Sequence, residues 1–177
     1  MKRILLIGYG NPGRLDDGLG PAFAEAVQAL RLPGVAVESD YQLTVEDAAQ
    51  VAEHDVVVFA DAAVRGAEPF FFRRVTPGQD MSFSTHAVEP EAVLALAERL
   101  FHARPEAYAL GIRGYQFDAF GEEISERARR NLDHAADFFR ALVAEGDFAG
   151  AADPSLDAPD RPAETSEGSE PCRTGNT

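Results

Sequence analysis

The chain has 177 residues, 45% of them hydrophobic, enough for one domain with a full core and too few for a second domain of ordinary size. Thirty acidic residues against sixteen basic ones give a formal charge of −14, a field that opposes phosphate backbones and excludes nucleic acid as a natural partner. The single cysteine, Cys172, rules out an intrachain disulfide and a thiolate metal cluster, as befits a reducing cytosol.

The apolar run Ile4-Leu5-Leu6-Ile7 after Met1-Lys2-Arg3 is far shorter than a signal-peptide core, and glycine interrupts it. No stretch has the length and apolarity of a membrane span, so a soluble cytoplasmic protein is expected. Arg3 to Ile7 reads as a buried strand, short, aliphatic and ended by glycine. Leu19, Phe23, Ala26, Val27 and Leu30 recur at helical spacing and predict a first helix from about Asp17 to Leu30, with Pro21 tolerated in its first turn. A second strand follows at Val35 to Glu38 and a short helix around Val45 to Val51.

Asp55 to Ala60 is the clearest strand, apolar on both faces as in the centre of a covered sheet. Phe70 to Val75 predicts another strand that no helix precedes, which allows it to run antiparallel. Pro90 opens a helix whose apolar face holds Val93, Leu94, Ala97, Leu100 and Phe101. Ala107 to Ile112 is a last strand, and Ile124, Ala128, Leu132, Ala135, Phe139 and Leu142 mark a long final helix. Alternating strands and helices predict a three-layer α/β/α sandwich around a mostly parallel sheet, mixed if Phe70–Val75 is antiparallel. The domain is expected over residues 1–146. Residues 147–177, rich in Pro, Ala, Ser and Glu, are expected to form a disordered acidic tail.

Gly8-Tyr9-Gly10-Asn11-Pro12-Gly13 fits G-x-G-x-x-G between a strand and a helix, and Glu38 ends the next strand, as in dinucleotide-binding domains. Asp16 and Asp17 oppose that reading, because they stand where an anionic pyrophosphate would sit. The same turn also resembles the opening of peptidyl-tRNA hydrolases. That family's His-Asn pair has no counterpart in Arg14-Leu15-Asp16-Asp17-Gly18, and the acidic charge argues against tRNA.

One capping aspartate is expected at a helix start, and two adjacent ones exceed that need. Asp61 ends the most apolar strand, where a carboxylate loses solvation unless it has a partner, and this sheet edge is where ligands bind in open α/β folds. Of the four histidines, His86 alone lies in a loop that leads into a helix from the same side. His54 sits at the opposite edge, and His102 and His134 occupy ordinary helical positions. Asp17, Asp61 and His86 suit a divalent transition metal with open positions, and equally an acid, a base and an orienting group. H-E-x-x-H, G-x-S-x-G and Asp-Thr-Gly are all missing, and Cys172 has no activating neighbour.

Four motifs together resemble the hydrogenase maturation endopeptidases. They are Gly8-Tyr9-Gly10-Asn11 with Asp16-Asp17-Gly18-Leu19-Gly20, Val57-Val58-Phe59-Ala60-Asp61-Ala62, Ser84-Thr85-His86 with Pro90, and Gly121-Glu122-Glu123-Ile124-Ser125. The resemblance runs from about Arg3 to Leu142. It implies a five-stranded twisted sheet between helices and an endopeptidase that removes the C-terminal extension of a nickel-loaded [NiFe]-hydrogenase large-subunit precursor. It also implies metal ligands at Asp17, Asp61 and His86, where the family often carries glutamate at the first position, with Asp16 as the alternative there. Nickel would arrive with the precursor, and no organic cofactor is implied. The sequence leaves the oligomeric state open; a monomer is compatible with it.

Overall fold

The structure, a computed structural model, describes residues 2–78 and 88–156. Five strands form one sheet: β1 (Ile4–Tyr9), β2 (Val35–Asp40), β3 (Val56–Ala63), β4 (Phe70–Val75) and β5 (Glu106–Arg113). Their spatial order is β2-β1-β3-β5-β4. All neighbours are parallel except β4, which runs antiparallel to β5 with Phe70 opposite Ile112 and Val75 opposite Ala107. The β3–β4 connection is a short turn rather than a helix, and a turn of that length returns a chain antiparallel.

Alternation along the central strands divides the core between two faces. Ile4, Leu6, Val56, Val58 and Ala60 pack against α1 (Leu19–Leu30) and α4 (Glu126–Glu145). Leu5, Ile7, Val57 and Phe59 pack against α2 (Asp47–Ala52) and α3 (Pro90–Phe101). Both faces are therefore covered, which is why β1 and β3 are continuous apolar runs instead of alternating ones. Phe23 of α1 meets Phe139 of α4 edge to face at 5.8 Å, joining the two helices over the sheet. No helix among the described residues is long and apolar enough to cross a membrane.

Element boundaries differ from the sequence reading where tertiary contacts intervene. β3 extends to Ala63 because β5 continues beside it, pairing Asp61 with Gly111. Asp61 therefore lies within the strand, not after it. Helix α1 begins at Leu19, since Leu15–Gly18 form a separate 3-10 turn. Ile124 precedes α4, whose N-cap is Ser125, its hydroxyl accepting the Ala128 N–H at 3.4 Å.

The folded part does not end at residue 146. Gly146, at φ 75°, closes α4 in the left-handed conformation, and α5 (Phe148–Ala151) follows at once. Phe148 is only 1% exposed and lies 5.8 Å from the ring of Tyr108. Beyond it, the Asp153 N–H donates to the Phe72 carbonyl at 2.9 Å, tying the segment to edge strand β4. The described residues continue to Leu156, ten beyond residue 146, and one buried aromatic in a small-residue stretch, Phe148, anchors the segment. Residues 157–177 of the expected tail lie outside the described residues.

Candidate active site

Strand β1 lies between β2, to which it connects through α1 on one face, and β3, to which β2 connects through α2 on the other face. Such a switch point opens a crevice at the C-terminal edge of the sheet. The start of α1 presses directly on that edge. A Cβ on Gly20 would lie 2.0 Å from the Tyr9 carbonyl oxygen and 2.7 Å from that of Ala60, so only glycine fits there. Gly10 has a φ of 141°, and a Cβ on it would lie 2.2 Å from the Asp17 carbonyl oxygen and 3.6 Å from Asp61 Oδ1. The bare backbone of Gly10 is what lets the 3-10 turn and the Asp61 side chain converge.

Asp17 is half-buried, and its Oδ2 accepts the Asn11 N–H at 3.1 Å. Asn11 is itself held by a bond from the Gly13 N–H to its Oδ1, at 2.9 Å. In a dinucleotide site these turn amides would face pyrophosphate. Here the Asn11 amide serves a carboxylate of the same chain, and a 3-10 turn separates the glycines from α1. The glycine motif is thus a packing device, and the anion it favours is Asp17.

Asp16 has a different role from its neighbour. It is fully buried and accepts bonds from the N–H groups of Tyr115 (2.7 Å), Gln116 (3.0 Å) and Ser125 (2.7 Å) and from the Ser125 hydroxyl (2.8 Å). Burial alone would raise its pKa, but these four donors together hold the carboxyl below the usual range. With its oxygens engaged in joining the 3-10 turn to the β5–α4 loop, Asp16 is a fastener. Asp17 is the member of the pair that borders Asp61.

Asp61 accepts the Ala62 N–H at 2.6 Å. Burial pushes its pKa up from 3.8 to about 7; the Ala62 bond opposes this, and the charges of Asp17 and Glu89 add to the rise. It lines a cavity of about 250 Å³ with Tyr9, Phe71, Arg73, Glu89 and Gly111. Burial, followed by the charges of Asp61, Glu89 and Glu91, keeps the Tyr9 phenol protonated well past its ordinary range. Glu89 is raised by burial and by Glu91, while Arg73, which pairs with Glu91 at 3.2 Å, lowers it. A larger cavity of about 590 Å³ opens between α1 and β2, but neither Asp17 nor Asp61 lines it.

The structure thus brings Asp17 and Asp61 together, and His86 lies outside the described residues. Glu89, three residues after His86 in sequence, lines the Asp61 cavity. Among the described residues no group of three or more His, Cys, Asp or Glu side chains is placed to hold a metal ion. Two carboxylates are an incomplete shell for a transition metal. Sequence reasoning missed Tyr9, Arg73 and Glu89. Arg73, one of two arginines in strand β4, was the available signal, and Glu89 was hidden as the residue before the helix-opening proline.

The fold defined by this sheet order and this crevice is that of hydrogenase maturation endopeptidases. The [NiFe] hydrogenase maturation protease HycI from Thermococcus kodakarensis aligns with a TM-score of 0.65 and 23% identity, covering 81% of this chain and 93% of its own. The hydrogenase 2 maturation peptidase of a Thaumarchaeota archaeon gives 0.60 and 24%, over 82% of this chain and 99% of its own. The hydrogenase maturating endopeptidase HybD from E. coli gives 0.58 and 21%, over 81% and 93%. No model of a protein family matches the chain, and neither does the sequence of any curated protein.

Proposed function

We propose that this protein is a cytoplasmic endopeptidase that removes the C-terminal extension of a [NiFe]-hydrogenase large-subunit precursor once nickel has been inserted. The observation that carries this reading is the meeting of Asp17 and Asp61 across Gly10, at the switch point of a maturation-protease fold. Nickel in this account belongs to the substrate. Asp17, Asp61 and His86 are the residues that would grip it, two hard oxygen donors and one imidazole.

Asp17 is aimed by the Asn11 amide. Asp61, with a pKa near neutrality, is suited to accept a proton from water attacking the scissile carbonyl and to return it to the leaving amine. Polarisation of that carbonyl by the substrate's metal is the parallel route, and both use the same carboxylates. An incomplete shell holds an ion weakly by itself, so selection for loaded precursor follows when the precursor's own ligands complete it.

The test is metal discrimination. The purified protein should contain little metal after dialysis against chelator, cleave nickel-loaded precursor and leave nickel-free precursor intact. Adding zinc to the enzyme alone should not rescue the nickel-free substrate. Efficient cleavage of metal-free precursor would replace this reading with an autonomous peptidase.

A further inference from the structure

The β5–α4 loop holds two phenylalanines with opposite fates. Phe117 turns inward, its ring 2.7 Å from where a Cβ on Gly114 would stand. Phe120 points out and is 91% exposed, the most exposed of the large apolar side chains among the described residues. Single exposed apolar residues are common and need no explanation. Phe120 differs because its loop is held rigid around it.

The Leu15 N–H donates to the Gly121 carbonyl at 2.7 Å, and the Gly121 N–H to the Gly13 carbonyl at 2.9 Å. The Asp16 N–H donates to the Gln116 carbonyl at 3.0 Å, and the Asp16 carboxylate grips both ends of the loop, at Tyr115, Gln116 and Ser125. The loop is therefore stapled to residues 13–16, the segment that continues directly into Asp17. A phenylalanine displayed on such a frame loses little conformational freedom on binding, which is the property of a preorganised anchor. Around it Asp118, Glu122 and Glu123 are all exposed.

We infer that Phe120 is the docking anchor for the protein substrate, and that it enters an apolar pocket rimmed by basic side chains on the precursor's folded surface. This rests on the endopeptidase reading and deepens it, placing recognition on the loop that Asp16 fastens beside Asp17. The basic rim follows from charge complementarity with the three surrounding carboxylates and with the net charge of −14.

Initial rates of precursor processing separate docking from chemistry. Phe120→Ala should raise KM about thirty-fold, as loss of a central anchor does. Its kcat should stay within about two-fold, and its melting temperature should not change. The double variant Glu122→Lys, Glu123→Lys should also raise KM and flatten its dependence on salt. A KM for Phe120→Ala within two-fold of wild type overturns the anchor and leaves the endopeptidase reading standing. Wild-type protein that neither binds nor cleaves the precursor overturns both. Sedimentation in which Phe120→Ala abolishes self-association while precursor affinity is kept assigns the side chain to a second copy of the chain and overturns the inference.

Discussion

Asp61→Asn should make the protein more stable at alkaline pH while it abolishes processing. The wild-type carboxyl rises from its ordinary 3.8 to about 7 because folding removes it from water beside Asp17 and Glu89. A raised carboxyl binds its proton more tightly when folded, so its contribution to stability is fully present below pH 3.8 and is lost as pH climbs through about 7. Counted in full, the ionised group costs the folded chain about 4 kcal/mol above pH 7. Asp61 borders an open crevice, and solvent screening there leaves roughly 1–2 kcal/mol of that cost. Asparagine keeps an oxygen for the Ala62 N–H and carries no charge. At pH 8 its melting temperature should exceed that of wild type by about 3–6 °C, and the gap should narrow towards pH 5. Circular dichroism melts of both proteins across that range measure it, and taking the difference removes every other titrating group. A variant that melts at or below wild type at pH 8 would refute the reasoning, because Asp61 would then not be an uncompensated charge.

Asp16→Ala should lower stability by about 3 kcal/mol in urea melts at pH 7, since three part-buried N–H groups and a hydroxyl lose a charged acceptor. The folded pKa of Asp16 is depressed, so its stabilisation is present above pH 3.8 and should fade as pH falls below that value. Phe148→Ala should cost about 3–5 kcal/mol by denaturant unfolding, and truncation after Gly146 should cost at least as much. A near-neutral result would mean that α5 does not dock on Tyr108. Calorimetric titration with NAD and NADH should show no low-micromolar binding, because Asp17 already occupies the anion position of the glycine turn.

The layered fold was legible because burial writes itself into strand composition. β1 and β3 are apolar on both faces, and a strand without a preceding helix turned out antiparallel. Asp61 was legible too, as a carboxylate where a central strand should stay apolar. Asp16 and Asp17 were not separable from sequence, for both sit at the same turn with the same side chain. What distinguishes them is a set of partners about a hundred residues away, at Tyr115, Gln116 and Ser125. The docking of Phe148 was hidden for the opposite reason, a single large residue in a segment whose composition otherwise reads as tail. Tyr9 and Glu89 gain meaning only from the cavity they share with Asp61, which joins β1, β3 and the start of α3.

The central claim is proteolysis by the Asp17–Asp61 pair, and intact-mass measurement of nickel-loaded large-subunit precursor after incubation with the purified protein tests it most directly. The expected spectrum shows the precursor shortened at one C-terminal bond and a single released peptide. Neither should form with Asp17→Asn or Asp61→Asn variants that remain folded. Precursor left intact by wild type, or shortened equally well by the two variants, would contradict the account.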